Sequence, residues 1–221
     1  MDLITYSEIK KIPQIKTYIQ KADEALGALG YTEHSFAHVG LVAEKVKYIL
    51  TTMGYPQRTV ELAQIAAYMH DIGNVINRVD HAQSGAVMAF RILDRQGVDA
   101  EDIAVIISAI GNHDESTAFP VNEVAAALIL ADKSDVRYTR VRNRDLPSFD
   151  IHDRVNYAVK KAETVINEEK NKITLNLTID TEFSSVMDYF EIFLERMVLC
   201  KKAAQKLNLR FQLVINEQKV L

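Results

Sequence analysis

The sequence predicts a mainly α protein: a helical bundle followed by a small α+β module. A change in hydrophobic period carries that reading. Up to about residue 145, apolar residues recur every three or four positions, as in amphipathic helices. After Pro147 they alternate with polar residues, as in strands with one buried face. Five of the six histidines also fall between positions 34 and 113, inside the helical part. Glycine and proline are scarce between the halves. The expected division is therefore 1–147 for the bundle and 148–221 for a module docked on it, not a domain on a loose tether.

In the first part, Ile15, Ile19, Ala22 and Leu26 form a stripe that ends at Gly27 and Gly30. Ser35 is placed to cap a helix carrying Val39, Val42, Val46 and Ile49, which stops before Gly54 and Pro56. The next helix carries Leu62, Ile65, Ala66 and Met69 and reaches His70. Another runs from Ala82 through Gly85, Met88 and Ile92. Asp99 and Glu101 suit the first turn of a helix through Ile103, Ile106, Ile107 and Ile110. The last begins near Val121 and ends at Asp132. Its run Val124 to Ala131 is too short to span a bilayer and reads as a buried helix.

In the second part, Ala162, Thr164 and Ile166 alternate, then a polar turn from Glu168 to Asn171, then Ile173, Leu175, Leu177 and Ile179 alternate. That is a hairpin pattern. A long helix follows, with Val186, Met187, Phe190, Phe193, Leu194, Met197 and Val198 apolar, and Leu209, Phe211, Leu213 and Ile215 alternate again. Strand, strand, helix, strand predicts a three-stranded antiparallel sheet covered by one long helix. The segment Leu209 to Asn216 is a candidate free edge that would allow a homodimer.

A net charge of -4 argues against a general nucleic-acid surface. The single cysteine, Cys200, excludes an intrachain disulfide and reads as a small buried apolar residue. The start Met1-Asp2-Leu3-Ile4-Thr5-Tyr6-Ser7-Glu8 lacks the basic and apolar stretches of a signal peptide, and no run is long enough for a membrane span. A soluble cytoplasmic protein, with no nucleic-acid or membrane partner, is the expectation.

The chemistry concentrates at His70-Asp71, where an apolar helical run gives way to Ile72-Gly73-Asn74. A His-Asp pair alone is common. Here His38, His81, His113 and Asp132 each stand near the start or end of a helix. Consecutive residues on a helix differ by about 100°, so His70 and Asp71 can reach one cavity from neighbouring angles. Bundles build metal sites from inward side chains on several helices. The mixed imidazole and carboxylate set suits iron, manganese or zinc better than calcium or copper.

The order His38, His70-Asp71, Asp132 resembles the HD superfamily of metal-dependent phosphohydrolases. The contexts His34-Ser35-Phe36-Ala37-His38-Val39, Asn112-His113-Asp114-Glu115 and Ala131-Asp132-Lys133-Ser134-Asp135 carry the likeness over about residues 30 to 140. His81 and His113 are similar to the two extra histidines of its dinuclear branch. The resemblance implies an HD-type bundle and two divalent ions, iron or manganese first, with zinc, magnesium, nickel or cobalt as alternatives. It places one ion on His38, His70, Asp71 and Asp132 and a second on Asp71, His81 and His113, with Asp71 bridging. It further implies attack of a metal-activated hydroxide on the phosphorus of a nucleotide or other small phosphorylated metabolite. The chain departs from the cyclic-dinucleotide phosphodiesterase branch, with Asn74 in place of a lysine and no Gly-Tyr-Pro after the paired histidines. That disfavours cyclic di-GMP as substrate.

Further candidates surround this set. His34 suits a general acid or a phosphate contact, particularly if it shares a helical face with His38, but equally a loop histidine. Lys133 can donate to a phosphate, and Asp135 can orient a ligand histidine. Arg137, Arg140 and Arg144 would line one helical face and suit phosphate, although charge runs are more often solvated or salt-bridged. His152-Asp153 reads as structural or as an interface element. Two rival functions share the ligand set: a diiron HD-fold oxygenase, and a non-catalytic nucleotide sensor.

Overall fold

The computed structural model describes residues 3–221. Nine α-helices and four strands follow one another along it. The first seven helices are α1 (Tyr6–Ile9), α2 (Pro13–Ala28), α3 (Phe36–Thr52), α4 (Gln57–Met69), α5 (His81–Arg95), α6 (Ala100–Gly111) and α7 (Glu123–Lys133). Their starts are fixed by side-chain caps where the sequence offers them. Ser35 Oγ accepts the Ala37 N–H, an Asp99 carboxylate oxygen accepts that of Glu101, and Asn122 Oδ1 accepts that of Ala125.

Helix α7 is the axis of the molecule. Every residue from Val124 to Lys133 is buried, because α7 packs on α3, α4 and α6 and also on the long helix of the second part. Burial on all sides explains its unbroken apolar run. Each Leu or Ile enclosed there contributes about 1.5–3 kcal/mol of burial free energy.

The second part comprises α8 (Ile151–Ala158), β1 (Val159–Ile166), β2 (Lys172–Ile179), α9 (Val186–Lys206), β3 (Arg210–Ile215) and β4 (Gln218–Lys219). The expected hairpin is present: β1 and β2 pair antiparallel. The sheet, however, has four strands in the order β1-β2-β3-β4 and is mixed, not three-stranded and antiparallel. Between β2 and β3 the chain crosses over through α9 and returns in the same direction, which makes that pair parallel. The fourth strand follows a two-residue turn, Asn216-Glu217, in which both residues have positive φ, 49° and 67°. It pairs with Val214 and Ile215, and Leu213 bonds to Val220 and Leu221 beyond it. The segment Leu209 to Asn216 is thus paired with β2 along its length and, from Leu213 to Ile215, with the chain that follows it, so the expected free edge is reduced to the stretch before Leu213.

Helix α9 lies between β3 and α7, so one element belongs to both cores. The Ile166 N–H of β1 donates to Tyr48 Oη of α3 at 2.9 Å, a second tie between the parts. Cys200 is buried on α9. Residues 137–145 do not form the expected α-helix. A single 3-10 turn, Tyr138–Arg140, lies in otherwise irregular chain, so Arg137, Arg140 and Arg144 share no helical face. Among the described residues no helix is long and apolar enough to cross a membrane.

Candidate metal centre

Five helix termini deliver six polar side chains to one point. His38 sits in the first turn of α3, His70 just beyond the last residue of α4, and Asp71 at the junction with a 3-10 turn, Ile72–Val75. His81 is the first residue of α5, His113 follows the end of α6, and Asp132 is next to last in α7. All six are buried. The tight join between Asp71 and His81 depends on Gly73. A Cβ there would lie 2.0 Å from His81 O and 2.5 Å from Gly85 N. Only a residue without a side chain lets the turn rest against the start of α5.

The four histidines share one orientation. His70 Nδ1 meets Ala67 O at 2.7 Å, His81 Nδ1 meets Arg78 O at 2.9 Å, and His113 Nδ1 meets Ile110 O at 2.6 Å. His38 Nδ1 meets Asp135 Oδ2 at 2.7 Å. A carbonyl oxygen only accepts, so Nδ1 carries the proton in the first three, and the Asp135 carboxylate selects the same tautomer in the fourth. In its neutral form each ring therefore turns a lone pair at Nε2 toward the centre. Two such atoms stand 3.4 Å apart between His38 and His70, and two stand 3.2 Å apart between His81 and His113. Facing lone pairs repel unless a proton or a cation lies between them.

Asp71 divides its oxygens between the two pairs. Oδ2 lies 3.1 Å from His70 Nε2 and 3.6 Å from His38 Nε2, while Oδ1 lies 3.5 Å from His81 Nε2 and 3.8 Å from His113 Nε2. Asp132 Oδ1 joins the first group, 3.3 Å from His38 Nε2 and 3.8 Å from His70 Nε2. Ligand atoms about 2.1 Å from one ion, at octahedral to tetrahedral angles, lie about 3.0–3.4 Å from each other. The observed spacings suit that range with small adjustment. Asp71 Oδ2 is buried without a hydrogen-bond partner, an orphan that a cation would satisfy. The donors present form groups that could each hold a divalent ion, among them His38, His70 and Asp71 with Asp132 close by, and Asp71, His81 and His113. Asn74 Nδ2 donates to Asp71 Oδ1 and to its backbone oxygen, both at 3.0 Å, and so fixes the carboxylate plane.

Charges around the cluster are tightly organised. Burial pushes the Asp71 carboxyl up, but the surrounding imidazoles, His70 first, hold it well below the ordinary range. Burial likewise raises Asp132, but Lys133 first, together with His38 and His70, holds it well below the ordinary range. Lys133 Nζ lies 2.7 Å from Asp132 Oδ2 and 3.3 Å from Glu115 Oε2. Against its burial these two carboxylates hold its ammonium above the usual range. Asp135, pushed up by burial, is kept ionised by His38 and Arg140. Burial pulls His81 down to about 4, with His113 and Arg78 reinforcing it against Asp71.

The centre opens into a cavity of about 420 Å³, within the range of small-molecule sites. His34 and Lys133 line it with Asp71, His81, His113 and Asp132 of the cluster. His34 lies in the loop before α3, not on the helix, with Nδ1 2.7 Å from Thr32 O and its ring 5.3 Å from that of His38. Arg140 also lines the cavity, but its Nε donates to Glu33 O and its Nη1 to Asp135 O. Arg137 is held by Asp135 and Glu33 and does not line the cavity. His152 and Asp153, read from sequence as structural, line the cavity together with Asp150 and Asn156, because α8 lies against it. Arg78, Phe193 and Arg196 also line it, beside the segment Leu29 to Thr32, and nothing in the sequence pattern singles out Arg78. For Arg196 a signal existed: an arginine three residues after Phe193 and four before Cys200, on the buried face of α9.

A family model for the HD domain matches residues 35–146. MJ1020 of Methanocaldococcus jannaschii, itself uncharacterised, is 24% identical over 191 residues, which span 75% of this chain and 72% of that protein. The crystal structure of a predicted HD superfamily hydrolase from an uncultured Thermotogales bacterium is 26% identical, with a TM-score of 0.42 over 61% of this chain and 75% of that one.

Proposed function

The chain belongs to the HD domain family, and from that premise we propose that it is a metal-dependent phosphohydrolase acting on a nucleotide or a similar small phosphorylated metabolite. The observation that carries the reading is the two-sided Asp71, with paired imidazole Nε2 atoms on either side, at the floor of a small-molecule cavity. When bound there, two divalent ions supply Lewis-acid polarisation of a phosphoryl oxygen and a nucleophile derived from water at neutral pH.

The chain's own residues supply the rest. His38, His70, Asp71, His81, His113 and Asp132 hold the ions. Arg78 Nη1 stands 3.3 Å from His81 Nε2, and Lys133 Nζ stands beside Asp132. Both cations are placed to neutralise charge growing on phosphoryl oxygens, the main task in phosphoryl transfer. His34 is drawn well down by burial and then by Arg140, so it is neutral with Nε2 unprotonated. It suits accepting a proton or a hydrogen bond in the cavity better than acting as a general acid. Asp150 and Asp153 on α8 add carboxylate acceptors to the wall. They favour a substrate that carries hydroxyl or amino donors beyond its phosphate, as a nucleoside or sugar phosphate does.

The test is a phosphate-release screen across nucleoside and sugar phosphates, on protein of measured manganese or iron content, repeated with Asp71→Ala. The reading requires turnover that falls to background in the variant. Turnover equal in both proteins overturns the assigned centre. Oxygen consumption by iron-loaded protein without phosphate release replaces this reading with the oxygenase one.

A further inference from the structure

Arg196 stands on α9, 64 positions beyond Asp132 in the chain, yet it lines the same cavity as Asp71, His81, His113 and Asp132. Its Nε donates to Glu115 Oε1 at 2.7 Å, and its guanidinium carbon lies 4.2 Å from the centre of the Phe193 ring. One edge and one face of the guanidinium plane are therefore fixed. Nη1 and Nη2 have no acceptor among the described residues, and neither is sealed away as an orphaned buried atom. Arg140 on the same cavity wall is the contrast. Its Nε and Nη1 are committed to backbone oxygens, as in an arginine that serves the fold.

The local charges point the same way. Glu115 is shared between Arg196 and Lys133, and Lys133 is shared between Glu115 and Asp132. As a set these four side chains are neutral. The metal group takes Asp132 Oδ1 and leaves Oδ2 on Lys133, so a bound divalent ion would add positive charge beside a set that is otherwise neutral, and the cavity would favour an anion. A preorganised guanidinium with two free nitrogens matches two oxygens of a phosphate, a geometry that an ammonium cannot supply.

We propose that Arg196 is the phosphate-binding residue of the cavity, so that α9 completes the substrate site of the HD bundle. The identity of the anion as the substrate's phosphate rests on the phosphohydrolase reading; the existence of an anion site at Arg196 does not.

The experiment is calorimetric titration of inorganic phosphate into manganese-loaded protein, with wild type, Arg196→Met and Arg196→Lys compared at measured metal content and melting temperature. Loss of charge-assisted hydrogen bonds is expected to weaken phosphate binding by about 10- to 100-fold in Arg196→Met. Arg196→Lys should fall between the two, and metal content should not change. On a hydrolysed substrate KM rises with the phosphate affinity loss while kcat changes less. Unchanged phosphate affinity in Arg196→Met, no phosphate binding by wild type, or metal loss in step with affinity overturns the assignment. If Arg196→Met does not fold, Arg196→Lys decides: weaker binding at full metal content supports the proposal and equal binding overturns it. Phosphate binding that depends on Arg196, without turnover of any phosphate ester, upholds the anion site and ends the phosphohydrolase reading.

Discussion

His38 donates from Nδ1 to Asp135 Oδ2 at 2.7 Å, across 97 residues of chain. The other three histidines of the cluster use a carbonyl three residues earlier in their own segment, so His38 alone depends on a distant side chain for its tautomer. Asp135 is itself fixed by the Arg137 side chain and lies 3.7 Å from Arg140 Nη1. Asp135→Asn keeps the shape and removes the charge that makes His38 a strong donor to metal. Metal affinity should fall about 10- to 100-fold. Competition against a chelator of known affinity measures it, and an affinity equal to wild type would show that Asp135 serves only the fold.

Gly73 carries the second prediction. A methyl group at this position meets backbone atoms, His81 O and Gly85 N, which have no flexible end to move aside. Gly73→Ala should destabilise the protein by about 3 kcal/mol or more. It should also push α5 away from Asp71, so the metal count drops through loss of the His81 and His113 group. Denaturant melts and metal analysis on one preparation check both effects. A variant of wild-type stability with full metal content would contradict the packing argument.

Acid should weaken the chelator-treated protein before its carboxylates titrate. Folded His81 is drawn by burial to about 4, against an ordinary value of 6.5. Between pH 6.5 and 4 the unfolded chain binds a proton that the folded chain does not, so stability falls as pH falls. One such group costs about 3 kcal/mol over that window. His34, lowered by burial and Arg140, acts with the same sign. His70 acts oppositely and at higher pH: burial lowers it, but Asp71, with Asp132 and the Ala67 carbonyl, raises it on balance, so its contribution is full below pH 6.5 and fades above. Urea midpoints at pH 6.5 and 4.5 should differ, and His81→Gln should recover part of the difference. Midpoints that do not move with pH would contradict the burial of His81 as a neutral ring.

The six residues that converge at the cluster are legible in the sequence because each stands near the end of a strongly periodic helix, where a change of residue type stands out. Their Nδ1 partners are less so, since Ala67, Arg78 and Ile110 act through backbone oxygens that any residue possesses. The hairpin β1–β2 followed from period-2 patterning, but the parallel pairing of β2 with β3 depends on where α9 crosses, which periodicity does not encode. Helix α8 has only eight residues, too few for its Asp150 cap and the spacing of Ile151, Val155 and Ala158 to outweigh the strand pattern that follows. With α8 unseen, His152 and Asp153 had no route to the cavity. Spacing alone sets Arg137, Arg140 and Arg144 on one helical face, whereas the carboxylate and carbonyl partners of Arg137 and Arg140 hold the chain in an irregular path.

We assign Asp71 a place between two metal ions. Anomalous diffraction at the metal absorption edge, from crystals of manganese- or iron-loaded protein, tests it directly. Two peaks are expected about 3.5–4 Å apart, one beside His38, His70 and Asp132, the other beside His81 and His113, with an Asp71 oxygen toward each. No peak in metal-replete crystals, or a single peak that Asp71 does not touch, would contradict the account.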